Sequence, residues 1–327
     1  MVAFAPRFRC LFAFVLGTAG HIAGSEAVTT ARRSCDHHLV NVLSERYQQA
    51  LVDAAQWHHD QFRKETNVPY LSHLLSVSVA VMDDGGDEDE CIAGLLHDAV
   101  EDTNTSLAMI RSRYGDRVAA LVEACTDDDG GNPANKPAWW ARKVRHGAHV
   151  GSLVTVNPSV ARVAAADKLS NLRSTLDDGG VRSGSTFARF KTGLGGFAWY
   201  YRTVGATLTA ALPEASLLRQ RLQRSLVELE DIVEDYRLRY ASPLRVVTDQ
   251  LVALDRPTGS GSHDPWPWFA LDVVHRSGGA VPGEELTLRA WAGWFDEPVP
   301  RDGVEAGKRL EELRQHPTAR TVLHALR

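Results

Sequence analysis

The chain has 327 residues, 44% hydrophobic and 24% charged, with a formal net charge of -5 at pH 7 and a pI near 6.2. That length and apolar content suffice for one large domain or two modest ones, each with a real core. The mildly acidic balance, without any long like-charged block, leaves no electrostatic footprint for nucleic acid, so nucleic-acid binding is set aside.

At the N-terminus Arg7 and Arg9 precede LFAFVLGTAG, the basic start and short apolar run of a signal-like segment. The run is too short to span a bilayer as a helix, and no membrane partner is expected. Residues 1–35 are therefore expected to be a leader set apart from the folded chain rather than an export signal. Cys10, Cys35, Cys91 and Cys125 form no CxxC pair. Cys91 and Cys125 fall in apolar helical patterns, where a cysteine acts as a small hydrophobe, which points to a reducing compartment and a cytoplasmic protein.

From Asp36 to about 241 the periodicity is helical and predicts an all-α bundle. In DEDECIAGLLHDAVED the apolar residues Cys91, Ile92, Leu95, Leu96, Ala99 and Val100 make one stripe, with acids at the positive helix end. YGDRVAALVEACT and NPSVARVAAADKLSNLRSTL repeat the pattern. The Gly/Asp clusters MDDGGDED, TDDDGGNP and LDDGG read as connections. LLRQRLQRSLVELEDIVEDYRLRY closes the domain with charges of alternating sign. Beyond it, residues 242–327 open with the linker-like DRPTGSGSHDPWPW. They continue as a small α+β or irregular region in VPGEELTLRAWAGWF and AGKRLEELRQHPTARTVLHALR. Trp266, Trp268, Trp291 and Trp294 there read as packing residues.

Chemistry concentrates in LLHDAVEDT, residues 95–103. On one helix, Asp98 shares a face with Glu101 and Asp102, and His97 stands one turn before Glu101. Three carboxylates in one patch repel each other and lose solvation unless a cation or a proton relieves them. A bound metal is the simplest relief. PYLSHLL adds His73 on a second helix, and AAADKLSNLRS adds Asp167 and Asn171 one turn apart on a third. Two imidazoles and two carboxylates make a mixed nitrogen and oxygen site, suited to manganese, iron or zinc rather than calcium. There is no GxSxG elbow and no GxxxxGKS/T loop, which argues against serine-hydrolase and P-loop chemistry.

The order QFRK, PYLSH, LLHDAVEDT, YGDRVAALVEACTDD, WARK, ADKLSNLR resembles the HD-domain phosphohydrolases. Within them it is most similar to the (p)ppGpp hydrolase branch: the hydrolase half of the RelA/SpoT stringent-response enzymes and the small alarmone hydrolases. The resemblance runs from Tyr47 to Thr175, and more loosely to Arg202 through FARF and WYYR. HDxxED is its most specific element. The resemblance implies an HD-domain helical bundle in which His73, His97, Asp98 and Asp167 bind one metal, usually manganese, with iron, cobalt or zinc as other ions. It implies Glu101 and Asp102 as the pair that positions and activates the attacking water. Arg63 and Lys64 would lie along the nucleotide, and Asn171 would contact its sugar or base.

Lys143, with Arg142, reads either as a phosphate clamp or as surface charge, and its family position favours the clamp. Arg182, Arg189 and Lys191 read as a solvated face before a polyphosphate site. His58 and His59, adjacent and so on different sides of a helix, do not read as a ligand pair. Leu74 and Ser170 depart from the family pattern, where proline and histidine are common. The expected activity is release of the 3′-pyrophosphate of (p)ppGpp, with the same chemistry on another nucleotide, or a non-catalytic binding module, as alternatives. No synthetase domain of ordinary size fits after the linker.

Overall fold

The computed structural model describes residues 43–64, 66–126, 139–155, 157–181, 184–246, 266–280 and 284–295. All of them lie in one unit, Asn41–Arg327. The signal-like segment, the 127–138 insert, Arg182, the linker ahead of Trp266 and the AGKRLEELRQHPTARTVLHALR stretch fall outside the described residues.

Among the described residues every regular element is a helix, beside one isolated bridge between Phe62 and Pro69. The core helices are α1 (Glu45–Trp57), α2 (Leu71–Asp83), α3 (Glu88–Leu96), α4 (Ala99–Asp102), α5 (Leu107–Tyr114) and α6 (Asp116–Cys125). They are followed by α7 (Trp139–Val154), α8 (Pro158–Leu176), α9 (Gly193–Ala211) and α10 (Leu217–Arg239). Two more, α11 (Trp266–Arg276) and α12 (Glu284–Phe295), stand where the sequence suggested a small α+β unit. VPGEELTLRAWAGWF is thus helical wherever it is described, because Ala290, Trp291 and Trp294 bury one stripe.

The middle of the bundle is α3, in contact with α1, α2, α6 and α8. Its start is fixed by a reciprocal cap: the Glu90 amide donates to Asp87 Oδ1 at 3.1 Å, and the Asp87 amide donates to Glu90 Oε2 at 2.7 Å. Glu90 to Leu96 are then buried without interruption. Arg162 of α8 locks this corner, its guanidinium reaching Asp84 Oδ2 at 3.0 Å and Glu90 Oε1 at 2.6 Å. The stripe that predicts one helix through Asp102 is broken at His97 and Asp98, where the chain turns before α4.

The described C-terminal helices pack on the bundle. Trp294 Nε1 donates to Asp272 Oδ2 at 2.9 Å, and Arg276 Nε lies 2.9 Å from the other oxygen. Burial pushes the Asp272 carboxyl up to about 7 even so. Trp268, Trp291 and Trp294 are buried, in keeping with a packing role. The side chain of Trp266 is outside the described set.

The contact between α9 and α11 depends on Gly195, where a Cβ would stand 1.7 Å from the carbonyl oxygen of Trp268. In an open helix Gly→Ala stabilises by about 1 kcal/mol. Here the added methyl meets backbone, so the sign reverses. Gly195→Ala is expected to cost about 1–3 kcal/mol in urea unfolding, whereas Gly179→Ala, with open space around its Cβ, leaves the midpoint in place.

Candidate metal centre

His73 sits in the first turn of α2, His97 and Asp98 at the α3–α4 corner, and Asp167 in the middle of α8. Packing of α2 and α3 against α8 brings these four together. His73 Nε2 lies 3.3 Å from Asp167 Oδ1 and 3.6 Å from Asp98 Oδ2. His97 Nε2 lies 3.0 Å from Asp98 Oδ2 and 3.7 Å from Asp167 Oδ1. Two ligands of one ion, each about 2.1 Å from it, sit about 3.0–3.4 Å apart, so this spacing suits a shared cation.

A second observation agrees. Both Nε2 atoms are buried and neither makes a hydrogen bond, although carboxylate oxygens are near. The four groups face a common point rather than one another. Among the described residues, His73, His97 and Asp98 form a group able to hold a metal ion.

The outer bonds orient these donors. His97 Nδ1 donates to the Gly94 carbonyl at 3.0 Å, which leaves Nε2 of the neutral ring as the lone pair. His73 Nδ1 meets Ser170 Oγ at 3.0 Å. Tyr70 Oη donates to Asp98 Oδ2 at 2.6 Å, Lys168 Nζ to Asp167 Oδ2 at 2.7 Å and Asn171 Nδ2 to Asp167 Oδ1 at 2.6 Å. Burial opposes charge at His97, Asp98 and Asp167, but attraction to their neighbours wins. The His97 imidazole, with His73 close by, holds Asp98 far below the ordinary carboxylate range. Lys168 and the two imidazoles do the same for Asp167. His97 is raised by Asp98 and Asp167. The oxygens therefore draw positive charge inward, as a proton or as a cation.

Tyr70, Lys168 and the Ser170 contact were not predicted as site features. Tyr70 carried the signal of standing three residues before His73. Ser170, a departure from the expected pattern, is in contact with the His73 imidazole.

Glu101 and Asp102 stand apart from the metal-capable group. Both are exposed on the single turn of α4, because the break at His97 and Asp98 takes them off the buried stripe. Partial desolvation by the groups around its carboxyl, although the residue is exposed overall, and then the Asp98 charge raise Asp102 above its ordinary range.

A cavity of about 260 Å³ adjoins the centre, walled by Arg63, Lys64, Tyr70, Asn171, Phe190 and Tyr201 among others. Arg63 Nη2 donates to Asn171 Oδ1 at 3.2 Å, which links cavity to centre. Lys64 lies over the Phe190 ring. Arg189 also lines the cavity, its guanidinium held by Asp178 at 2.9 Å. Lys143 is placed differently: its ammonium lies over the Tyr200 ring, 5.2 Å from the centroid, and it is not among the cavity's lining residues. A larger cavity of about 770 Å³ lies beyond Arg63 and reaches His73, Ser170 and Arg173.

An all-helical bundle with a buried His-His-Asp-Asp centre beside a basic cavity defines a class of metal-binding domains. Residues 50–185 match the family model described as an HD domain.

Over 83 residues the chain is 43% identical to the guanosine-3′,5′-bis(diphosphate) 3′-pyrophosphohydrolase of Aquifex aeolicus, covering 25% of this chain and 12% of that protein. It is 36% identical over 123 residues to the protein of the same description from Xenopus tropicalis, covering 37% of this chain and 64% of that one. It is also 36% identical over 121 residues to a GTP pyrophosphokinase of Streptomyces coelicolor, covering 37% of this chain and 14% of that protein. The chain thus spans less than two thirds of the length of these relatives. No described helix is long and apolar enough to cross a membrane.

Proposed function

We propose that this protein is a metal-dependent phosphohydrolase that releases the 3′-pyrophosphate of (p)ppGpp, with manganese as its ion. The observation that carries the reading is the pair of buried, unpartnered Nε2 atoms of His73 and His97, set against Asp98 and Asp167 beside a cavity lined by Arg63 and Lys64. The names of the relatives supply the substrate.

His73, His97, Asp98 and Asp167 hold the ion, which when bound lowers the pKa of water and neutralises phosphoryl charge. Arg63 and Lys64 draw in the polyanionic substrate, and Asn171 fixes the sugar or base at the wall it shares with Arg63. Lys143 is assigned an outer role on the phosphates. Glu101 and Asp102 orient the attacking water and take its proton. A carboxyl raised above the ordinary range, as Asp102 is, accepts a proton more readily near neutral pH. Water bonds to the phosphorus on the 3′ oxygen, that P–O bond breaks, and the 3′ oxygen takes up a proton.

We assign this chemistry to residues 36–241, with 1–35 a leader and 242–327 a linker and appended region. Cys91 and Cys125 are free thiols, in keeping with a cytoplasmic enzyme.

The test is pyrophosphate release from ppGpp by the full chain with manganese, beside the chelated protein and a panel of 5′-mononucleotides. Manganese-dependent release of pyrophosphate from ppGpp alone is expected. Preference for a 5′-mononucleotide overturns the substrate, and release unaffected by chelation overturns the metal.

A further inference from the structure

His58 terminates α1, is 2% exposed, and has a buried Nε2 with no hydrogen bond. Its other nitrogen, Nδ1, lies 2.6 Å from Gln61 Oε1. The amide of Gln61 in turn donates from Nε2 to the backbone carbonyl of Asp102, at 2.6 Å.

The direction of this chain follows from the end group. The Asp102 carbonyl can only accept, so the NH₂ of Gln61 faces it and Oε1 faces His58. Oε1 can also only accept, so His58 Nδ1 carries the proton and donates. No other assignment satisfies both bonds.

The tie matters because of what it holds. Four residues make up α4, a single turn that cannot hold its shape alone. Glu101 and Asp102 are exposed on it, 43 and 44 positions from His58, so their aim depends on contacts from outside the turn. Gln61 is itself held firmly: its amide donates to the His58 carbonyl at 3.1 Å, and its carbonyl accepts from the Tyr70 amide at 2.9 Å. The His58 ring stacks on Tyr70, centroids 5.5 Å apart and 26° between planes, and Tyr70 donates to Asp98. One imidazole thus touches both arms that reach the centre, one to Asp98 and one to Asp102.

We propose that His58 is a positioning residue for the Glu101–Asp102 pair, acting through Gln61. The role rests on the reading of that pair as the water-activating group. His58 is not a ligand: its contacts run to Gln61 and Tyr70, and the donor cluster is complete without it.

His58→Leu removes the donor and keeps an apolar side chain in the buried space. His58→Asn keeps an amide N–H close to where Nδ1 stands. In the leucine variant kcat is expected to fall about 10- to 100-fold, the cost of a misplaced catalytic group. KM and the calorimetric Kd for manganese are expected to hold. The asparagine variant recovers most of kcat, and adding Gln61→Met to the leucine variant costs nothing further. Unchanged kcat in His58→Leu, a parallel loss of manganese binding, or an asparagine variant as slow as the leucine one overturns the proposal.

Amide hydrogen exchange across residues 99–103 reads the tie without substrate. Faster exchange is expected in His58→Leu and Gln61→Met alike, and unchanged exchange overturns the tie. A wild-type protein inert on ppGpp with manganese bound defeats the functional reading instead, and the exchange experiment still decides the role of His58 in placing the turn.

Discussion

Asp98→Ala is expected to abolish divalent-cation binding while the helical bundle stays folded. In the wild type, manganese at 100 times its Kd is expected to raise stability by about 2.7 kcal/mol through mass action, and the variant is expected to gain nothing from the same addition. The reason lies in the geometry. Asp98 Oδ2 is the oxygen nearest to His97 Nε2, at 3.0 Å, and it also faces His73 Nε2 at 3.6 Å. Its loss leaves Asp167 as the sole carboxylate among the four donors, and that carboxylate is already shared with Lys168 and Asn171. Without metal the variant loses mainly the acceptor of the Tyr70 hydroxyl, worth about 1–3 kcal/mol.

Thermal melts with and without manganese, run beside the ppGpp assay, check both parts. Hydrolysis is expected to drop by more than about 100-fold, since a second-sphere partner alone can account for that much. A variant stabilised by manganese as much as the wild type removes Asp98 from the centre.

Arg162→Leu is expected to be the most destabilising single change at a distance from the centre, by about 3–5 kcal/mol in chemical unfolding. Its two partners, Asp84 and Glu90, have side chains only 2% and 3% exposed. Asp84 also accepts from the Ser216 hydroxyl at 2.7 Å and the Leu218 amide at 3.1 Å, at the start of α10. One guanidinium therefore compensates two buried carboxylates where α2, α3, α8 and α10 meet. Removing it leaves both charges inside, and water cannot reach them at no cost to the packing. Arg162→Lys is expected to lie between, because a single ammonium cannot match the two-pronged contact. A leucine variant within about 1 kcal/mol of wild type, the range of an exposed pair, contradicts this account.

The site was legible in the sequence to the extent that it depends on spacing. His73, His97, Asp98 and Asp167 are picked out by residue type and by the order and spacing of the motifs that carry them, and the bundle brings those four together. The partners that aim them were not legible. Ser170 on His73, Gln61 on the Asp102 carbonyl and Tyr70 on Asp98 join segments 97, 41 and 28 positions apart, a matter of how helices cross and not of local pattern.

The break at His97 and Asp98 was hidden for a different reason. Ala99 and Val100 continue the apolar stripe on the far side, so periodicity runs straight through a turn. VPGEELTLRAWAGWF, read as part of a small α+β or irregular region, is helical where described, with Trp291 and Trp294 buried. For Lys143, position in the sequence did not foretell its neighbour, the Tyr200 ring.

The four donors come from sequence positions 73, 97, 98 and 167, on segments that meet only when α2 and α3 have settled against α8. A fragment bearing LLHDAVEDT alone presents one imidazole and a row of hydrated acids, with none of the burial that leaves a nitrogen without a partner. The centre is in this sense a readout of assembly. An ion held by all four would discriminate the finished bundle from every shorter or looser form of the chain, and its affinity would measure how completely three distant helices have closed.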